Sequence, residues 1–128
     1  MNGSLDLAFA LGGGLGAVAR HALGRALPQR APLATLLVNV LGSLLLGIAL
    51  VGIGEGASAA TEELRRALVG FCGGFTTFSS FAVQSVELVR ERSARGAALN
   101  VALNVVLCVA AFWAPFALLE SGVGPTRG

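Results

Sequence analysis

Four apolar runs, at about residues 5–23, 33–53, 67–88 and 97–119, divide the chain, and shorter polar or glycine-rich stretches at 25–32, 54–63 and 90–95 separate them. A hydrocarbon layer about 30 Å thick takes about 20 mostly apolar residues in a helix to cross, and each run is long enough. Polar and apolar residues do not alternate along the runs as they would in barrel strands. Lipid offers backbone groups no partners, so helices remain. The pattern predicts an all-α integral membrane protein, one domain over residues 1–128 with four transmembrane helices. The first run lacks the basic flank of a signal peptide and is too long for one, so it reads as a retained first span.

Composition points the same way. Of 128 residues, 55% are hydrophobic and 12% charged, against roughly 25% charged in an ordinary soluble domain. All nine basic residues are Arg, and the formal net charge is +2. No basic stripe interleaves with aromatics, so membrane lipid and not nucleic acid is the expected surrounding partner. Cys72 and Cys108 lie inside apolar runs and read as small packing residues. With one His and no ligand-spaced cluster, a transition-metal site has little to build from. No nucleophile has a base in plausible reach, and His21 reads as interfacial, so the chain is not read as an enzyme. Gly12 to Ala17 matches a degenerate dinucleotide fingerprint, but no acid answers it in the region of Thr35-Leu36-Leu37-Val38.

Small residues recur four apart, as Gly12 with Gly16, Ser43 with Gly47 and Gly70 with Gly74, which lets helix backbones approach closely. Four short spans can hardly enclose an aqueous path alone, so an oligomer is expected, with these faces in its interface. The first span is expected to end near Arg20, whose guanidinium can snorkel to the membrane surface.

Polar positions inside the runs carry the chemistry. Thr35, Asn39 and Ser43 share one face of the second span, and Asn100, Asn104 and Cys108 share one face of the fourth. A buried Asn must either bond another helix or line a wet path. The third span reads Gly70-Phe71-Cys72-Gly73-Gly74-Phe75-Thr76-Thr77-Phe78-Ser79-Ser80-Phe81. Adjacent glycines followed by hydroxyl residues favour a broken helix there, and broken membrane helices commonly mark ion sites. Phe78 and Phe81, three apart, project together after the break. Their ring edges carry partial positive charge and can accept an anion without presenting a full cation. No acid lies in the middle of any span, which argues against a cation path. The lining suits a small, strongly hydrogen-bonding anion.

The string from Gly70 to Phe81 resembles the Gly-rich, Thr-Thr-Phe-Ser-Thr-Phe signature of the small fluoride channels of the Fluc/CrcB family. Gly13 to Arg20 resembles that family's ending of the first span, and Ala34 to Asn39 its Gly-Thr-Leu-Val-Asn segment. The resemblance implies a fluoride-selective passive channel that exports fluoride from the cytoplasm and lowers its toxicity. It implies a multi-pass protein of the cell inner membrane, built as an antiparallel dual-topology homodimer with two fluoride paths along its interface. A central structural sodium ion is implied as well, held by backbone carbonyls of Gly73 and Thr76. On the same grounds Asn39 is a pore-facing donor, Phe78 and Phe81 are the aromatic anion ligands, and Asn104 and Cys108 belong to the polar track of the last span. Thr35 and Ser43 join the pathway through their stripe. Arg20 attracts anions at the vestibule or plays a structural part. The chain departs from the family at Ala34 for Gly, Ser80 for Thr, Cys108 for a hydroxyl or small residue, and Gln84 where many members have Glu.

Two other readings stand beside it. A small dual-topology multidrug or cation exporter needs a membrane-embedded carboxylate, and Asp6 and Glu87 sit too near span ends to supply one comfortably. A non-conducting structural subunit is the second. Arginines favour one membrane face: Arg25, Arg30, Arg90, Arg92 and Arg95, with Arg20 nearby, against Arg65, Arg66 and Arg127 on the other. So modest a bias allows insertion both ways, as a homodimer needs, or marks one half of a pair with a homologous, oppositely oriented subunit.

Overall fold

In a computed structural model, residues 3–28, 31–53 and 58–122 are described. They form five helices: α1 (Gly3–Ala26), α2 (Ala31–Gly52), α3 (Ala59–Phe75), α4 (Phe78–Arg90) and α5 (Ala94–Gly122). Arg30 and Arg127, which entered the count of arginines above, lie outside the described residues. The helices begin before their apolar runs and, except for α2, which stops at Gly52, end beyond them, because hydrogen bonding continues past the point where hydropathy falls; the third run is shared by α3 and α4. The α3 helix begins well before residue 67, at a Ser58 cap whose Oγ accepts from Thr61 N–H at 3.3 Å. The turn from α4 to α5 is closed by Ser93 N–H donating to Leu88 O and Arg92 N–H to Val89 O, with Arg92 at φ 60° in the position usually given to Gly.

The expectation of four apolar spans needs adjusting. Ala31–Gly52, Ala59–Arg90 taken through its break, and Ala94–Gly122 are long and apolar enough to cross a membrane, whereas α1 has the length, 24 residues, but not the hydropathy. Glycines, Asp6 and Arg20 dilute it. Its outer face is nonetheless apolar, with Leu7, Leu11, Leu15 and Val18 exposed at helical spacing.

Apart from Phe75, the buried apolar residues are small, and most of the large ones lie outside. The buried apolar side chains include Ala34, Val38, Ala49, Cys72 and Ala97, while Leu and Val dominate the exposed surface. Such an arrangement suits lipid, in which apolar bulk gains nothing from burial and close backbone approach gains dispersion. The α1 and α3 helices run parallel: a Cβ added at Gly12, Gly16, Gly70 or Gly74 would strike the carbonyl of Ala67, Phe71, Phe9 or Gly13 respectively. The glycine faces of the first and third spans are thus consumed within one chain, and the expected oligomer interface does not use them. Gly47 admits the Phe112 carbonyl in the same way, where α2 runs alongside α5.

The third span is broken, although not at its glycines. Gly73 and Gly74 remain helical, and the chain opens at Thr76 (φ −77°, ψ 160°) and Thr77 (φ −150°, ψ 116°). Gly74 seats directly against α1, where a Cβ would strike the Gly13 carbonyl, whereas Gly73 faces the open side, and the two hydroxyl residues can supply their own caps.

Candidate ion pathway

The break is repaired from α1 and α2, and α5 takes part through Asn104, which accepts from Asn39. At the end of α3, Thr76 sends both its N–H (3.0 Å) and its Oγ1 hydroxyl (2.9 Å) to Cys72 O. Arg20 Nε donates to Gly74 O at 3.1 Å. Since α1 continues to Ala26, Arg20 does not end the first span or snorkel outward from this bond. It places a cation at a helix C-terminus, where the macrodipole favours one by about 0.3–1 kcal/mol.

Asn39 of α2 treats Thr77 as a strand neighbour would. Thr77 N–H donates to Asn39 Oδ1 at 2.8 Å, and Asn39 Nδ2 donates to Thr77 O at 3.2 Å and to Asn104 Oδ1 at 3.0 Å. Asn104 passes its own Nδ2 to Asn100 O at 3.0 Å. Thr77 then caps α4, its Oγ1 accepting from Ser80 N–H at 3.2 Å.

These bonds bear on the carbonyls expected to hold a cation. In a continuous helix the Gly73 carbonyl would receive Thr77 N–H and the Thr76 carbonyl Ser80 N–H, but those donors go to Asn39 and Thr77 Oγ1. Both carbonyls are released from helical pairing, and such oxygens suit a hard monovalent cation. Among the described residues no group of three or more His, Cys, Asp or Glu side chains could hold a metal ion.

Two cavities meet at the break. A groove of about 490 Å³ is lined by Asn39, Ser43, Gly73, Thr76, Phe78, Phe81, Asn104 and Cys108, together with Phe9, Val69 and other uncharged residues. A second cavity, of about 430 Å³, is lined by Arg20, His21, Arg25, Thr35, Ser80 and Gln84 among others. Thr77 lines both. The structure therefore brings most of the sequence-selected residues into the groove, but assigns Thr35 and Arg20 to the vestibule-like cavity beside it. Among the described residues no charged side chain lines the groove, and no carboxylate lines either cavity.

Phe78 and Phe81 meet edge to face, with ring centroids 5.5 Å apart and planes at 61°. Phe78 is 79% exposed in the single chain. The Cys108 thiol lies beside the Ser43 hydroxyl on the facing helix. Sequence reasoning passed over two contacts. Gln84 Nε2 donates to Thr35 Oγ1 at 2.9 Å, and Asn100 Nδ2 to Ser85 Oγ at 2.9 Å. The polar stripe of the fourth span pointed at Asn100; nothing in the sequence pointed at Ser85.

Comparison with known proteins agrees with this geometry. Residues 7–116 match the family described as CrcB-like protein, Camphor Resistance (CrcB). A protein of Coxiella burnetii named fluoride-specific ion channel FluC is 43% identical over 108 residues, covering 80% of this chain and 87% of the relative. Fluoride-specific ion channel FluC 2 of Rhodococcus jostii is 43% identical over 114 residues, covering 88% and 96%. A FluC of Rhodospirillum centenum is 44% identical over 122 residues, covering 91% and 96%. With a family match over most of its length and relatives this similar, the chain belongs to the CrcB family.

Proposed function

We propose that the protein is a fluoride-selective passive channel that exports fluoride from the cytoplasm and lowers its toxicity. The observation that carries this reading is the uncharged groove headed by the edge-to-face pair Phe78–Phe81. A conducted ion must bind well enough to enter and weakly enough to leave. Ring edges with the Ser43 hydroxyl and the Cys108 thiol offer that balance to a small anion, while the amide hydrogens of Asn39 and Asn104 are committed to Thr77 O, Asn104 Oδ1 and Asn100. The names of the CrcB relatives support the choice of fluoride. Arg20 and Arg25 would concentrate anions in the vestibule. From there Thr35, Asn39, Ser43, Asn104 and Cys108 would mark the route past the two rings.

Reconstituted protein should dissipate a fluoride gradient with little chloride flux and with no proton gradient or nucleotide. Robust chloride flux, or drug transport coupled to protons, would overturn the reading. The exporter alternative also needs a carboxylate, and among the described residues neither cavity has one.

The functional unit on this reading is an antiparallel homodimer in the cell inner membrane, each chain crossing it several times. One chain leaves Phe78 exposed and its groove open at the side, and a second copy would close both. A sodium ion at the Gly73 and Thr76 carbonyls would serve a structural part, supported by their release from helical pairing. Replacing sodium with a large organic cation should lower flux or dimer stability; equal flux and equal dimer stability in the two salts would count against a bound ion.

A further inference from the structure

Helix α4 carries both phenylalanines, yet none of its side chains is buried. An apolar core therefore does not set its position, and hydrogen bonds must do more of that work. Three of them reach it from other elements or from the break. Its head is capped by Thr77, which Asn39 grips. Gln84 ties it to Thr35 of α2. The remaining tie, to α5, runs through Ser85.

Ser85 lies one helical turn beyond Phe81 and, with Phe78, on the same face. Its hydroxyl donates to Phe81 O at 2.8 Å, and its oxygen accepts from Asn100 Nδ2 at 2.9 Å. Asn100 accepts in turn from Asn104, at its carbonyl (3.0 Å) and at its Oδ1 (3.3 Å), and Asn104 accepts from Asn39. Each group donates onward in one direction, from Asn39 through Asn104, Asn100 and Ser85 to the backbone of Phe81. Asn100 and Asn104 are two of the three side chains that α5 buries, so they are desolvated and depend on these partners.

We infer that Asn100 and Ser85 are positioning residues for the phenylalanine pair, holding α4 against α5 through a one-way hydrogen-bond relay that begins at Asn39 and ends on Phe81. The inference rests on the channel reading, because the rings need accurate placement only if they meet the ion. Neither residue lines the groove, so any effect on the ion passes through the rings.

The test uses the full chain in liposomes. Ser85→Ala and Asn100→Leu should each raise the half-saturating fluoride concentration, or lower the preference for fluoride over chloride, by about three- to tenfold, the span one lost neutral hydrogen bond commands. Ser85→Thr, which keeps the hydroxyl, should stay within about twofold of wild type on the same scale. The double variant should be no worse than the more damaged single one, since either change cuts the same relay. A variant with reduced maximal flux but wild-type half-saturation and selectivity would show a merely structural role and overturn the inference, as would additive losses. A second readout does not need conduction: 4-fluorophenylalanine incorporated at Phe81 should give a fluorine resonance that shifts in Ser85→Ala and returns in Ser85→Thr. If wild-type protein passes no fluoride, the channel reading fails and this resonance decides the positioning role; an unmoved resonance refutes it.

Discussion

Asn39 shows how much one side chain can do inside a membrane. Its carboxamide matches the donor and acceptor of an extended peptide, so it can pair with Thr77 on both sides and still reach Asn104. Asn39→Leu would leave the Thr77 amide and carbonyl without that partner, at about 1–3 kcal/mol for each group left unpaired. Thermal unfolding in detergent should register the loss, and fluoride flux should fall with it. The phenylalanines should behave differently, since Phe78 is largely exposed and neither ring anchors the fold. Phe78→Ile and Phe81→Ile keep apolar bulk and remove the ring-edge dipole. Flux should drop at least about tenfold, on the order of one well-placed polar interaction, while size-exclusion chromatography shows an unchanged oligomer. Wild-type flux in both variants would make the rings packing residues.

Among the helices, the α1–α3 pair depends on backbone proximity. Gly12→Leu should prevent the two from seating, because its Cβ alone meets the Ala67 carbonyl, whereas a methyl group placed on Gly14 would find nothing within 4 Å. Gly14→Ala should therefore be tolerated and, through helix propensity, can stabilise by up to about 1 kcal/mol. Comparing the yields of folded protein after detergent extraction separates the two outcomes. The same seating brings Arg20 to Gly74 O. A shift of α1 would remove the cation from the end of α3 and disturb the vestibule together with the fold.

For the whole molecule, the open question is how copies insert. The described helices place Arg25, Arg90, Arg92 and Arg95 at one end of the bundle and Arg65 and Arg66 at the other. Glu62 pairs with the latter two, at 2.8 Å and 3.3 Å, which leaves less positive charge at that end. An impermeant thiol reagent applied to intact cells can decide the matter, using Ser58→Cys or Ser93→Cys with Cys72 and Cys108 replaced by Ala. Partial labelling at both positions is the expected result and means dual insertion. Labelling at position 58 alone would mean one fixed orientation and a separate partner chain.

The helical membrane-protein character and the identity of the polar stripes were readable along the chain, since length, hydropathy and fourfold spacing are local properties. The stripe Thr35, Asn39, Ser43 and the run from Gly70 to Phe81 contain part of the lining of the groove and of the cavity beside it, but not Phe9, Val69, His21 or Arg25, which no polar pattern marked. Where the third helix breaks was not local. Glycines weaken a helix everywhere, but Gly73 and Gly74 stay helical, Gly74 seated against α1, and the chain opens at Thr76 and Thr77 because Asn39, 38 residues from Thr77, can satisfy the freed backbone. Arg20 turning to Gly74 O across 54 residues has the same character. So does the link from Asn100 to Ser85, which joins two helices through a pair of ordinary polar residues. Periodicity shows which face of a helix is polar. Only the packed structure decides whether that face meets lipid, water or the orphaned carbonyl of a neighbouring helix.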